Sequence, residues 1–128
     1  MMREILYRGK RRDNGEWMEG FPIRLYDYGG DSWEMVPFNT NLDTNHFVIP
    51  ETIGQYTGMN DIVGKRIFEG DIMETAISGI TYHRGVVEFV DGAFGLRCTD
   101  GSAYFLCFVA ENYAIIGNVY ENADLLEG

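Results

Sequence analysis

The sequence is poor in the residues that most often carry chemistry. Its 128 residues include two cysteines, two histidines and three prolines. Two cysteines, Cys98 and Cys107, are too few for a disulfide scaffold. The two histidines, His46 and His83, show no HxxxH spacing, and the cysteines form no CxxC pair, so a zinc site built from these four is not expected. No serine sits in a Gly-x-Ser-x-Gly elbow. Neither GxxxxGK[ST] nor a helix-opening GxGxxG is present, which argues against nucleotide hydrolysis. No apolar run approaches the ~20 residues that span a bilayer. The opening MMREILYRGKRR lacks the apolar stretch of a signal peptide, so a cytoplasmic location, with both cysteines as buried free thiols, is the expectation. No metal, cofactor or catalytic residue is expected from these patterns.

Basic residues are also scarce. Ten face twenty acidic ones, giving a net charge of −10. A chain so charged repels nucleic-acid phosphates and anionic membranes. Half of the basic residues (Arg3, Arg8, Lys10, Arg11 and Arg12) lie in the first twelve positions, and none follows Arg97. With Tyr7, Trp17 and Phe21 nearby, this end is the one place where a nucleic acid would find charge and stacking. The basic start and acidic end could also attract each other within a molecule or between subunits.

Apolar residues reach 45% and aromatics 14%, enough for a core at this length. Sixteen glycines punctuate short runs rich in β-branched and aromatic residues. The pattern predicts a mostly-β chain of short antiparallel strands. Strands are expected at 4–8, 16–23, 32–38, 47–50, 52–56, 71–77, 80–90, 93–98 and 113–120. Asn14-Gly15 and Asp91-Gly92 read as type I′ hairpin turns. The polar stretch 24–46 reads as long loops, 102–110 as either a strand or a helical turn, and 122–126 as one helical turn capped by Asn122. A boundary near Pro50 to Gly58 would divide the chain into 1–52, a β-rich part with long loops, and 53–128.

The segment Ile53 to Met73, IGQYTGMNDIVGKRIFEGDIM, resembles the core signature of the YopX-like family. The matching pieces are Gln55-Tyr56-Thr57-Gly58, Asp61, Gly64-Lys65, Ile67 to Ile72, and the tail Ile115 to Asn122. The opening Tyr7 to Arg11 with Asn14 to Trp17 is similar as well. The resemblance implies a protein of bacteriophage or prophage type, from a family with no established biochemical activity. It also implies a small SH3-like barrel towards the C-terminus, carried by residues 53–128. Gly70-Asp71 fits the start of such a barrel, since Gly70 permits a reversal and Asp71 can accept from amides of the preceding turn.

Three carboxylates within the signature, Asp61, Glu69 and Asp71, are the candidates for a Mg²⁺ site or an acid–base pair. Their turn contexts favour capping of backbone amides instead. The expected function is therefore a non-enzymatic protein-interaction module, with a protein partner or a homo-oligomer as its target and no membrane. The alternatives are a nucleic-acid-binding accessory protein using Arg8, Lys10, Arg11 and Arg12, and an enzyme using Asp61, Glu69 and Asp71.

Overall fold

A computed structural model describes residues 4–27, 30–36, 47–79 and 82–127. The chain forms two compact units, residues 1–55 and 56–128. Both are built from short antiparallel strands.

In the first unit, β1 (Tyr7–Lys10), β2 (Trp17–Asp27), β3 (Gly30–Val36) and β4 (Phe47–Val48) lie in the order β4-β3-β2-β1. The other edge of β1 pairs with the first two residues of β5 (Gly54–Asn60), through Tyr7 with Gln55 and Arg8 with Gly54. The strand expected at 32–38 is β3, but the loop expected before it is instead a continuation of β2, the two strands pairing in register from Phe21↔Val36 to Asp27↔Gly30. The remainder of that stretch, 37–46, with His46, lies outside the described residues. The β1–β2 turn also departs from expectation. Gly15 has positive φ but Asn14 does not, so no type I′ turn forms there. A longer loop is closed by Arg11 N–H to Glu16 O, and the Asn14 side chain accepts from Glu16 N–H at 2.9 Å. An Asn side chain bonding two residues ahead makes a turn that does not need positive φ at Asn. Thr52, in the 3-10 turn Pro50–Thr52, accepts from Lys10 N–H at 2.9 Å and donates to Ile49 O, closing the unit on β1.

In the second unit, the rest of β5 pairs with β6 (Arg66–Phe68). A five-stranded sheet follows, in the order β10-β9-β8-β7-β11, from β7 (Asp71–Thr75), β8 (Arg84–Val90), β9 (Ala93–Cys98), β10 (Ala103–Phe105) and β11 (Tyr113–Asn118). Asp91 and Gly92 both have positive φ and join β8 to β9 in two residues, the tight turn expected there. Gly85 lets β8 and β9 approach closely, since a Cβ on it would stand 2.6 Å from Arg97 O. The stretch 102–110 is both a strand and a helix: β10 runs straight into α1 (Leu106–Val109) and the 3-10 turn Ala110–Asn112.

The mostly-β expectation holds, but no closed barrel, SH3-like or other, is seen among the described residues. Among the described residues β10 and β11 are the two edges of an open sheet and do not pair. The helical segment between them carries Leu106 and Ala110 into the core with Ile67, Met73, Val87, Leu96 and Tyr113. A second correction concerns the C-terminal turn Ala123–Leu126. Asn122 precedes it but makes no side-chain cap, and its Oδ1 accepts from Asn118 N–H at 3.1 Å. A third concerns the thiols: Cys98 is buried in the core as expected, but Cys107 is exposed. The α1 turn directs Leu106 inward and its neighbour outward.

Candidate functional site

The signature carboxylates are placed by local turn chemistry. Asp61 is 6% exposed. Its Oδ1 accepts from Val63 N–H at 3.0 Å and Lys65 N–H at 2.8 Å, which closes the turn between β5 and β6. Its Oδ2 accepts from Ile115 N–H at 3.0 Å, fifty-four residues away. Asp71 is 2% exposed, and its Oδ2 accepts from Phe68 N–H at 2.8 Å across the turn that holds Gly70. Glu69 is half-buried in that same turn. Among the described residues no three His, Cys, Asp or Glu side chains form a group that could hold a metal ion. Asp61 and Asp71 are therefore occupied with backbone amides inside the protein.

The Asp61 turn also covers one edge of the five-stranded sheet. Ile62 N–H donates to Tyr113 O at 3.0 Å while Ile115 N–H donates to Asp61. The outer edge of β11 is thus bonded along its first half. Its far end is covered by Asn122, whose Oδ1 accepts from Asn118 N–H at 3.1 Å and whose own N–H donates to Asn118 O. A sheet edge so covered cannot template pairing with another chain.

The opposite edge, β10, has no strand paired to its outer side among the described residues. Cys98 N–H donates to Ser102 O, and the register continues Arg97↔Ala103, Leu96↔Tyr104, Gly95↔Phe105. Because hydrogen-bonded pairs alternate in an antiparallel ladder, Tyr104 bonds inward to Leu96, and the backbone N–H groups of Ala103 and Phe105 point away from the sheet. Beside this edge lies a groove of about 320 Å³. Cross-strand neighbours share a face, so Ala93, Gly95 and Ala103 form a floor of small residues between Val90 and Phe105. Asp91, Phe94 and Tyr104 complete the lining. Val90 is 56%, Phe105 61% and Phe108 77% exposed. Phe105 and Phe108 meet edge to face, with centroids 6.1 Å apart. An exposed apolar patch beside an uncovered strand edge is the usual form of a protein-binding surface.

The charged residues of this sheet are engaged elsewhere. Arg97 makes a two-pronged pair with Glu88, at 2.6 Å from Nη2 to Oε1, and holds that carboxyl below the usual carboxylate range. Glu74 accepts from Tyr82 O–H at 2.7 Å and from Arg84 at 2.9 Å. The Tyr82 hydrogen bond, and then Arg84, lower the Glu74 pKa, and Glu74 in turn raises that of Tyr82. Arg84 also donates to Leu125 O at 2.9 Å, tying the C-terminal turn to β8. Sequence reasoning missed the surroundings of His83. Its ring nitrogens lie 3.3 Å from Tyr113 Oη and 3.4 Å from Tyr104 Oη, and its Nε2 is 3.3 Å from Asp100. Burial pushes the Tyr113 phenol and the Cys98 thiol up, so both favour their neutral forms. Tyr113 is itself a buried core residue, which makes this polar cluster a support of the sheet rather than an open cleft.

Arg8, Lys10 and Arg11 are partnered within their own unit, while Arg12 is exposed. The Arg8 guanidinium lies 4.5 Å over the Trp17 ring and Lys10 Nζ 5.9 Å over it. Arg11 pairs with both carboxylate oxygens of Asp13. Arg3 and His46 lie outside the described residues. No helix among the described residues is long and apolar enough to cross a membrane.

Comparison with known proteins places these features in a family context. A family model described as YopX protein matches residues 6–127. The crystal structure of protein EF1440 from Enterococcus faecalis is similar, with a TM-score of 0.57 and 23% identity, over 98% of this chain and 100% of that one. That likeness concerns the fold. No curated protein matches.

Proposed function

The chain belongs to the YopX protein family, and from that premise we propose that it works as a protein-interaction module. One observation carries this reading: an exposed apolar face, Val90, Phe105 and Phe108, lies beside a sheet edge with which no strand among the described residues pairs. Exposed aromatics cost solubility unless a partner covers them, and aromatic anchors dominate protein interfaces. The competing readings have less support. Two of the three candidate carboxylates, Asp61 and Asp71, are buried against backbone amides, and only Glu69 is half-buried. Of the basic N-terminal side chains, Arg8 and Lys10 lie over Trp17 and Arg11 pairs with Asp13, which leaves Arg12 for binding nucleic acid in a chain of net charge −10.

The test is a comparative capture. Immobilised wild-type chain and a Phe105→Asp, Phe108→Asp variant are exposed to the same nuclease-treated bacterial lysate and read by mass spectrometry. Both positions are exposed, so the variant should keep its circular dichroism and its thermal midpoint. A protein retained by wild type and lost by the variant supports the reading. Identical retention by both overturns it.

A further inference from the structure

We propose that the groove takes an extended segment of another protein, in which apolar side chains alternate with lysine or arginine, and that this segment adds to β10 as a further strand. The inference rests on the reading of this face as a binding surface and deepens it by naming the occupant.

Three observations support it. The first is the contrast between the sheet's two edges. On β11 the backbone groups of Tyr113 and Ile115 are bonded to the Asp61 turn. On β10 the register turns the N–H groups of Ala103 and Phe105 outward, with no strand beside them among the described residues. An added strand would satisfy them, and its backbone would give affinity with little dependence on sequence. The second is the shape of the groove. A strand about 4.8 Å from β10 sends every second side chain to the face that holds Phe105. There the small floor of Gly95 and Ala103 leaves room for apolar groups. This spacing selects alternation rather than a continuous apolar run. The third is charge. Residues 56–128 carry eleven acidic and four basic residues. Asp91 lines the groove itself, and Arg97, on the groove face of β9, is held by Glu88. The field at the edge therefore favours a basic segment. It disfavours a second copy of this chain, whose own net charge is −10.

The test uses the full chain and three nine-residue peptides, acetylated and amidated, followed by calorimetric titration. The first alternates valine and lysine. The second alternates valine and glutamate. The third is the first with its central valine replaced by proline, which keeps the charge and interrupts the strand. The valine–lysine peptide should bind. The glutamate peptide should bind at least about tenfold more weakly, because repulsion replaces attraction. The proline peptide should also lose about tenfold, because a pairing N–H is gone and the chain bends. Phe105→Ser, which removes the ring without adding charge, should lower the affinity of the first peptide by about tenfold or more. Equal binding of the first and third peptides would mean attraction by charge alone and overturn the strand mode. Equal binding of the first and second would overturn the basic class. If no peptide binds while the capture experiment still separates wild type from variant, this inference fails and the binding reading stands. If the capture experiment shows no difference, both fail. A dimer in light scattering that Phe105→Asp converts to monomer would overturn the inference in favour of a second copy.

Discussion

Replacing Asp61 with alanine removes three hydrogen bonds at once, and the size of the effect separates a structural carboxylate from a catalytic one. The carboxylate accepts from Val63, Lys65 and Ile115 N–H groups within 2.8–3.0 Å. Hydrogen bonds to a charged acceptor contribute about 1.5–3 kcal/mol each, and orphaned buried amides add a desolvation cost. The three share one side chain, so their contributions do not sum in full. The expected loss is about 3–5 kcal/mol, at the upper end of what single substitutions do. Urea unfolding at neutral pH, followed by far-ultraviolet circular dichroism, measures it as a fall in midpoint at unchanged slope. Asp61→Asn keeps one acceptor oxygen but turns an NH₂ group towards amide donors, so about half the loss is expected. Carboxylates held for metal binding or acid–base work usually cost stability, and their removal is neutral or stabilising. An Asp61→Ala protein within about 0.5 kcal/mol of wild type would refute the reasoning and return Asp61 to the list of catalytic candidates.

The exposed Cys107 should react rapidly with a disulfide reagent, and the buried Cys98 only after denaturation, so native protein should titrate one fast thiol. Glu74 and Glu88 have carboxyl groups lowered in the folded chain, so their contribution is present above the ordinary carboxylate range and is lost as pH falls through and below it. The stability gap between wild type and Glu74→Gln should therefore be largest near neutrality and narrow as pH falls below the ordinary carboxylate range, as read from thermal midpoints across pH. Gly85→Ala places a Cβ against Arg97 O and must push β8 from β9, lowering stability by roughly 2 kcal/mol or more in the same urea assay. Leu96→Ala, at the centre of the second unit's core, should cost about 2–5 kcal/mol.

Much of the strand pattern was legible because local rules decided it. Ala93 to Cys98 forms the strand expected, and Asp91-Gly92 forms its two-residue turn, since positive φ at both positions leaves few other solutions. Asp71 bonds the amide of the preceding turn for the reason its position after Gly70 suggested. The failures are those that needed long-range information. Leu106 and Ala110 enter the core while Cys107 and Phe108 face out, and a short apolar run does not reveal that. Asn14 has the residue type of a type I′ turn, but the β1–β2 loop is longer and uses its side chain instead. The stretch after residue 24 looked polar enough for a loop, yet β2 continues into it and pairs with β3. The long-range part of Asp61's role, its bond to Ile115, is set by tertiary placement and not by its neighbours. The groove was invisible for the same reason. Val90, Ala93, Gly95, Ala103 and Phe105 share a face only once three strands are in register.

The most direct test of the edge that defines the binding surface is amide hydrogen exchange of the full chain, alone and with the valine–lysine peptide. The account predicts slow exchange at Ile62, Ile115 and Tyr104 in the free chain, fast exchange at Ala103 and Phe105, and protection of those two amides when the peptide is added. Slow exchange of Ala103 and Phe105 in the free monomer, or no change there on binding a peptide that calorimetry shows to be bound, would contradict it.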